Sequence, residues 1–288
     1  MDNLLKSLVV KRLEQLRIEP NQNLGQHFLV DEQSLNLLTQ SVSPNTTVIE
    51  IGAGVGQITQ LLAKKAKKVF AIEIDRRYKP ILSGIAGQHP NIEIIIADAL
   101  KVNFEDIIGK DFKDVQIIAN LPYHITEPVL HKIAKLPIKC SSLVVGKRLA
   151  DAVQADESNP DFGQLSLLAR TFFNVELIAT LEKSKILPPP RTESAIIRLI
   201  PKKETELKSN ARDYLLRKLF LTSKQGTFVK NVLKEGLIEF HSGKLLTQNQ
   251  AREIIKNMGI PSTVLEKPFQ QLNNSELAIL SSALRLYS

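Results

Sequence analysis

Short apolar runs recur through the middle of the chain, separated by segments in which apolar residues return every three or four positions. Thr47–Ile51, Lys68–Glu73, Ile92–Ala97, Val115–Ala119 and Ser142–Val145 are rich in β-branched residues, and several are apolar throughout. That is the pattern of strands buried on both faces of a parallel sheet. Between them Gln57–Lys65, Arg76–Ala86 and Glu127–Lys135 carry apolar residues at helical spacing. Strand and helix alternating in this way predict a doubly wound α/β sheet. Asp31, just ahead of Ser34-Leu35-Asn36-Leu37-Leu38, predicts a capped helix leading into the first strand.

Beyond residue 170 the pattern changes. Val175–Thr180 and Ser194–Leu199 both predict strands, separated by a triple proline at 188–190. No helix fits between them, so an antiparallel pair at the sheet edge is expected. The polar stretch Pro201-Lys-Lys-Glu-Thr-Glu206 breaks the pattern and is the predicted domain boundary. After it, Ala211–Leu221, Thr247–Met258 and Ser275–Leu286 predict amphipathic helices. The expected organisation is an N-terminal extension over 1–22, an α/β domain over 23–200 and a small all-helical domain over 201–288.

Composition adds limits. The 288 residues are 43% hydrophobic and 24% charged, ordinary for a folded globular chain. No run of about 18 apolar residues exists, so no membrane-spanning segment is expected. Met1–Pro20 is a charged helical pattern without an apolar signal core, so a cytoplasmic protein is expected. A single cysteine, Cys140, excludes a disulfide framework and any multi-cysteine metal site, and no metal is expected. The formal net charge is +8, and it is uneven: residues 1–200 hold 24 basic and 22 acidic residues, residues 201–288 hold 14 and 8. A basic surplus in the last third suggests a polyanionic partner. The cluster Lys64-Lys65-Ala66-Lys67-Lys68 ends a helix, where cations suit the dipole, and is read as structural.

The chemistry gathers at strand ends. Glu50-Ile-Gly-Ala-Gly-Val-Gly56 closes the first strand and opens a helix, with glycines that let backbone pass close to a ligand. The spacing Gly52-x-Gly54-x-Gly56 is shorter than a dinucleotide fingerprint and is typical of S-adenosylmethionine sites. Glu73 ends the second strand about twenty residues beyond the glycines, where a carboxylate can accept ribose hydroxyls. Asp98 ends the third and can take an adenine amino group. The fourth strand runs into Asn120-Leu-Pro-Tyr123. An adenine amine is a poor nucleophile because its lone pair is delocalised into the ring. The Asn120 side-chain oxygen and the Leu121 carbonyl can accept its two N–H bonds and favour a pyramidal nitrogen. Pro122 fixes the turn, and Tyr123 offers a face for the target base to stack on.

With these residues in view, the sequence resembles the ribosomal RNA small-subunit adenine dimethyltransferase family. The segments that carry the resemblance are Leu24-Gly-Gln-His-Phe-Leu29, Glu50–Gly56, Ala71–Asp75, Asp98-Ala99, Asn120–Tyr123, Phe162-Gly-Gln-Leu-Ser166 and Pro188–Leu199. The fold expected is a Rossmann-like class I methyltransferase sheet, mostly parallel with an antiparallel edge strand, followed by a small all-helical C-terminal domain. The resemblance implies S-adenosylmethionine as cofactor and dimethylation of adenines in a small-subunit rRNA loop, late in subunit assembly. It implies cofactor contacts at Gln26, His27, Leu29, Gly52, Gly54, Glu73 and Asp98, with Asn120 at the junction with the substrate and Leu121, Pro122 and Tyr123 beside it. The partner implied is the precursor of the small ribosomal subunit, and a monomer is expected.

The chain departs from the family pattern in places. Gly146-Lys-Arg148 stands where Gln-Lys-Glu is usual, and Ala152 where a later arginine is. Ile186 replaces a loop phenylalanine that commonly forms the second wall of the base pocket; an aliphatic wall can still pack on a base. A basic cluster early in the helical domain is diluted to Ser223-Lys224-Gln225. These changes touch substrate engagement rather than cofactor binding. They leave open an RNA-binding assembly factor with weak or lost methylation. An enzyme acting on large-subunit rRNA is a further alternative, against which Leu121 weighs.

Overall fold

The computed structural model describes residues 3–21, 24–203, 205, 210–222, 226–241 and 246–287, with backbone alone at positions 3 and 123. The chain packs as two units: Met1–Ala150 with Val175–Pro201, and Asp151–Asn174 with Lys202–Ser288.

The first unit is built on a seven-stranded sheet. In chain order its strands are β2 (Thr47–Ile51), β3 (Lys68–Glu73), β4 (Ile92–Ile96), β5 (Val115–Asn120), β6 (Cys140–Gly146), β7 (Phe173–Leu181) and β9 (Ser194–Pro201). Their spatial order is β4-β3-β2-β5-β6-β9-β7. The first five pair in parallel, whereas β9 runs antiparallel to β6, with Val144 opposite Ile196. Each predicted strand is present, longer or shorter by at most a few residues. The order reverses between β2 and β5, because β3 and β4 extend to one side and β5 and β6 to the other. Such a switch point leaves a crevice outside the carboxyl ends of the strands.

Helices cover the sheet for reasons visible in their residues. In α1 (Asn3–Leu16), Leu5, Val9 and Leu13 fall four apart and enter the same core as Val55, Ile58, Leu62 and Leu82. α2 (Glu32–Thr39) starts at Asp31, whose side chain accepts the Ser34 N–H at 2.9 Å. α3 (Gln57–Lys65) carries Lys64 and Lys65 in its last turn. There Lys65 Nζ donates to Thr39 Oγ1 at 2.8 Å, and Asn91 Nδ2 donates to the Ala63 and Ala66 carbonyls. The predicted helix at 76–86 is two pieces, a 3-10 turn Arg76–Tyr78 and α4 (Lys79–Gln88). Pro80 in the first turn of α4 favours a fresh helix start there.

A small second sheet lies outside the sequence expectation. β1 (Phe28–Leu29) pairs antiparallel with β8 (Ile186–Leu187), setting Leu29 opposite Ile186. Ile186 is buried in the core with Leu29 and Val30. The expected aliphatic wall of a base pocket is therefore not there: this side chain belongs to the interior.

The second unit is helical. It contains α8 (Gln164–Phe172), α9 (Ala211–Thr222), α10 (Val229–Phe240), α11 (Gln248–Asn257), α12 (Ser262–Leu265) and α13 (Asn274–Leu286), while α7 (Lys147–Gln154) leads into it from β6. Its core includes Leu215, Leu219, Leu233, Leu237, Phe269 and Leu280. Phe162 and Leu167 join that core, which is why residues 151–174 pack here although a boundary near 201 places them with the sheet. They bring four acidic residues and one basic, so the helical unit carries only +3 and the sheet unit +5. Among the described residues no helix is long and apolar enough to cross a membrane. The cluster at 223–225 lies outside the described residues.

Candidate active site

The crevice at the switch point is a cleft lined from five directions. Gly52 and Gly54 come from the turn after β2, Glu73 and Ile74 from the end of β3, and Asp98 and Ala99 from the end of β4. Asn120 and Pro122 come from the end of β5, and Gln26, His27 and Phe28 from the loop before α2. Eight of the residues singled out in the sequence thus meet in one place. Leu29 and Leu121 do not line it: both side chains are buried outside the cleft. The Tyr123 side chain lies outside the described residues.

Backbone geometry explains the glycines. Gly52, Gly54 and Gly56 have φ of 79°, 54° and 78°, where a side chain is strained. A Cβ on Gly54 would stand 2.8 Å from the Phe28 ring, whereas one on Gly52 would meet only the Asn120 carbonyl at 3.7 Å. Gly52 therefore keeps the cleft side of the turn clear.

Glu73 is nearly buried and its carboxylate is already engaged. One oxygen accepts the Gly54 N–H at 2.7 Å and the other the Asp75 N–H at 2.8 Å. It locks the glycine turn to the end of β3, and burial raises its pKa against the pull of those bonds. A carboxylate has about four acceptor sites, so capacity remains for a hydroxyl from a ligand. Asp98 Oδ1 accepts the Leu100 N–H at 2.9 Å, which holds its loop.

The loop at 24–29 is fixed by its own polar groups. Gln26 Nε2 donates to Asp75 Oδ2 at 2.8 Å, and Gln26 Oε1 accepts from the Asn21 N–H and the Tyr78 hydroxyl. Gln26 is thus a strut of the cleft wall, both ends of its amide bound to protein. Asp75, gripped first of all by Arg77 and also by Gln26, has its pKa lowered to about 2. His27 Nδ1 bonds the Pro188 carbonyl at 2.7 Å, tying this loop to the triple proline.

Asn120 is oriented by the same loop: its Nδ2 donates to the His27 carbonyl at 2.6 Å. With the amino end held, the carbonyl end is the one left to face a ligand. The next turn is braced through Pro122, whose carbonyl accepts both the Ile125 N–H and the Thr126 hydroxyl. Gly25, at φ 60°, approaches Pro122 so closely that a Cβ would stand 2.7 Å from its ring.

A family model described as ribosomal RNA adenine dimethylase matches residues 18–267. The chain belongs to the ribosomal RNA adenine dimethylase family. A protein of Bacillus cytotoxicus named ribosomal RNA small subunit methyltransferase A is 33% identical over 271 residues, 91% of this chain and 90% of its own length. A relative of the same name in a Geobacillus species is 31% identical over 280 residues, 95% of this chain and 94% of its own. Among solved structures, a dimethyladenosine transferase from Plasmodium falciparum superposes with a TM-score of 0.58 at 25% identity, over 86% of this chain and 94% of its own. The protein is an rRNA adenine dimethyltransferase that uses S-adenosylmethionine.

The cleft fits that methyl donor. The dimethylase has a clear glycine turn, carboxylates at two neighbouring strand ends, and Ile74 next to Glu73, an apolar side chain 54% exposed on the cleft lining. Ile74 escapes a sequence reading that scans Ala71–Asp75 for carboxylates alone. The available signal is an apolar residue set between Glu73 and Asp75, at a point where the chain leaves the sheet. Tyr78, fully buried beneath the Gln26 strut, is another missed member, as are Phe28, His124 and Ile125 on the cleft lining, and no motif gives any of them a role.

Proposed function

We propose that the enzyme dimethylates the exocyclic amine of adenines in small-subunit rRNA, acting in the cytoplasm as a monomer on the precursor of that subunit. We further assign Gly52, Gly54, Glu73, Ile74 and Asp98 to the cofactor, with His27 near its methionine end, and Asn120 to the reacting base. The names of the bacterial relatives support the choice of subunit. The observation that carries the residue assignment is the fixed amide of Asn120, Nδ2 on the His27 carbonyl at 2.6 Å, beside both strand-end carboxylates.

When bound, S-adenosylmethionine supplies an electrophilic methyl group. The protein's share is to make a poor nucleophile reactive. Asn120 Oδ1 and the Leu121 carbonyl accept the two amine hydrogens and turn the nitrogen lone pair out of the ring plane. As positive charge develops on nitrogen, both acceptors bind it more strongly, in positions fixed before the reaction. The Pro122 carbonyl is taken up by Ile125 and Thr126, whereas no described residue donates to that of Leu121. The base has to leave its stack to reach this turn, and Tyr123 is assigned the face that receives it.

Under-methylated small subunits incubated with labelled cofactor provide the test. The wild-type protein is expected to label two methyl groups per target adenine. Asn120→Ala is expected to lower turnover by about 10²–10³, the cost of removing one preorganised polar group, while cofactor affinity stays within about twofold of wild type. Turnover unchanged in that variant refutes the role given to Asn120.

A further inference from the structure

The helix that leaves the Asn120–Tyr123 turn reaches back to the other end of the cleft. In α6 (Thr126–Ile133), Lys132 stands in the last turn. Its ammonium donates to the carbonyls of Ala99 at 2.8 Å, Leu100 at 3.1 Å and Val102, and it lies over the Phe104 ring, 4.4 Å from the centroid. A lysine has three N–H donors, and here all three go to backbone. Those carbonyls belong to the loop that opens with Asp98 at the end of β4. Burial lowers the ammonium's pKa, with the Asp98 carboxylate pulling the other way.

The loop has little else to hold it. Its backbone turns on the Lys101 and Val102 N–H groups bonding the Asp98 carbonyl, at 2.9 and 3.1 Å, and on Asp98 Oδ1 accepting from Leu100. Those bonds close the loop upon itself and leave its carbonyls pointing at α6. Lys132 gathers three of them on one charge. Charge-assisted bonds of this kind are stronger than neutral ones, and their common centre fixes Ala99, Leu100 and Val102 relative to one another.

We infer that Lys132 is a positioning residue, which holds the Asp98–Val102 loop in the shape that receives the adenine ring of the cofactor. The inference rests on the assignment of Asp98 and Ala99 to the cofactor. It ties the two halves of the site through one helix, since α6 begins at the base-binding turn and ends on the cofactor's loop. Lys132 itself touches neither ligand.

The test compares wild type, Lys132→Met, which keeps the aliphatic stem and loses the donors, and Lys132→Gln, which keeps two donors. Calorimetric titration with S-adenosylmethionine and steady-state kinetics on unmethylated subunits are read together. In Lys132→Met the Kd and KM for cofactor are expected to rise about tenfold or more, because the loop loses the charge-assisted bonds that shape it for the ligand. The kcat at saturating cofactor and the KM for RNA are expected to stay within about twofold. Lys132→Gln should fall between, and it serves alone if the methionine variant does not fold. Cofactor affinity equal to wild type overturns the inference, as does a loss shared equally by kcat, RNA KM and cofactor KM. Wild-type protein that binds no cofactor is a separate outcome: it overturns the assignment of the cleft, and the role of Lys132 with it.

Discussion

Glu50 is the most strained electrostatic element of the sheet unit. It is wholly buried at the head of the glycine turn, and no hydrogen bond reaches either carboxylate oxygen among the described residues. Thr59 from α3 sits close without forming a good bond, and the negative Glu73 stands nearby. Burial, first, and Glu73 raise its pKa to about 8. In the unfolded chain the same group ionises at about 4.3. Between those values the native state holds a proton that the unfolded state has lost, so stability falls as pH rises from about 4.3 to 8. Glu50→Gln, which cannot ionise, should match wild type near pH 4 and melt several degrees higher near pH 9, since about 1 kcal/mol moves Tm by 2–4 °C at this size. Thermal melts across that range check it; a constant difference with pH refutes it. Residues whose placement follows from local pattern are legible in the sequence. Glu73, Asp98 and Asn120 each end a strand, and strand ends can be read from periodicity. The packing of Gln26, Leu29 and Ile186 is not legible in the sequence, because each is placed by a distant partner: Asp75 and Tyr78 for Gln26, the short β1–β8 pairing for the other two.

At the scale of elements, α1 does more than cover the core. Arg12 is almost buried and donates from Nη1 to the Val55 carbonyl at 2.9 Å and from Nη2 to Gln60 Oε1 at 2.7 Å. The N-terminal helix thereby clamps the outer side of the glycine turn. Arg12→Met should leave the Val55 carbonyl without its partner, at a cost of about 1–3 kcal/mol. It should weaken cofactor binding in step with the lowered Tm. Scanning calorimetry with cofactor titration checks this, and a Tm and Kd both equal to wild type refute it. The strands are predicted to within a few residues because their apolar runs have no other explanation. Several helices are not. α5 (Phe104–Ile108) is barely one turn, too short to show a period, and α8 is buried nearly all round and shows little polar face. α10 runs unbroken through Gly236, but a glycine inside the pattern lowers its helical signal in the sequence. The reason for that glycine is tertiary: a Cβ there would lie 2.7 Å from Leu215 Cδ2 in α9. Two-residue strands such as β1 and β8 carry no periodicity at all.

At the scale of the molecule, the two packed units do not follow the linear order of the chain. Within the helical unit Glu157 joins its early segment to its late helices. It pairs with Arg212 at 2.9 Å and Arg285 at 2.7 Å, and it accepts from Ser281 at 2.6 Å. Glu157→Gln takes the carboxylate from Arg285 and leaves Arg212 with Asp213 as its counter-charge, at 3.3 Å; it should cost about 2–3 kcal/mol, less than a fully buried pair because Arg285 is half exposed. Hydrogen exchange should then quicken across 151–174 and 202–288 and stay slow in the parallel strands; a uniform change, or none, contradicts it. The domain split is legible only in part, because a polar stretch marks where a chain leaves a unit but not where it entered. The division of charge changes with it, from a surplus confined to the last third to +5 on the sheet unit and +3 on the helical one. Nonspecific attraction to phosphate is therefore expected of both units rather than of one appendage. The interleaving also sets a timetable for synthesis. As the chain emerges from its N-terminus, Phe162 and Leu167 appear long before Leu280, and the sheet still awaits β9 when they do. Neither core can close until translation has passed residue 201, so a newborn copy carries unburied apolar side chains for most of its passage out of a ribosome.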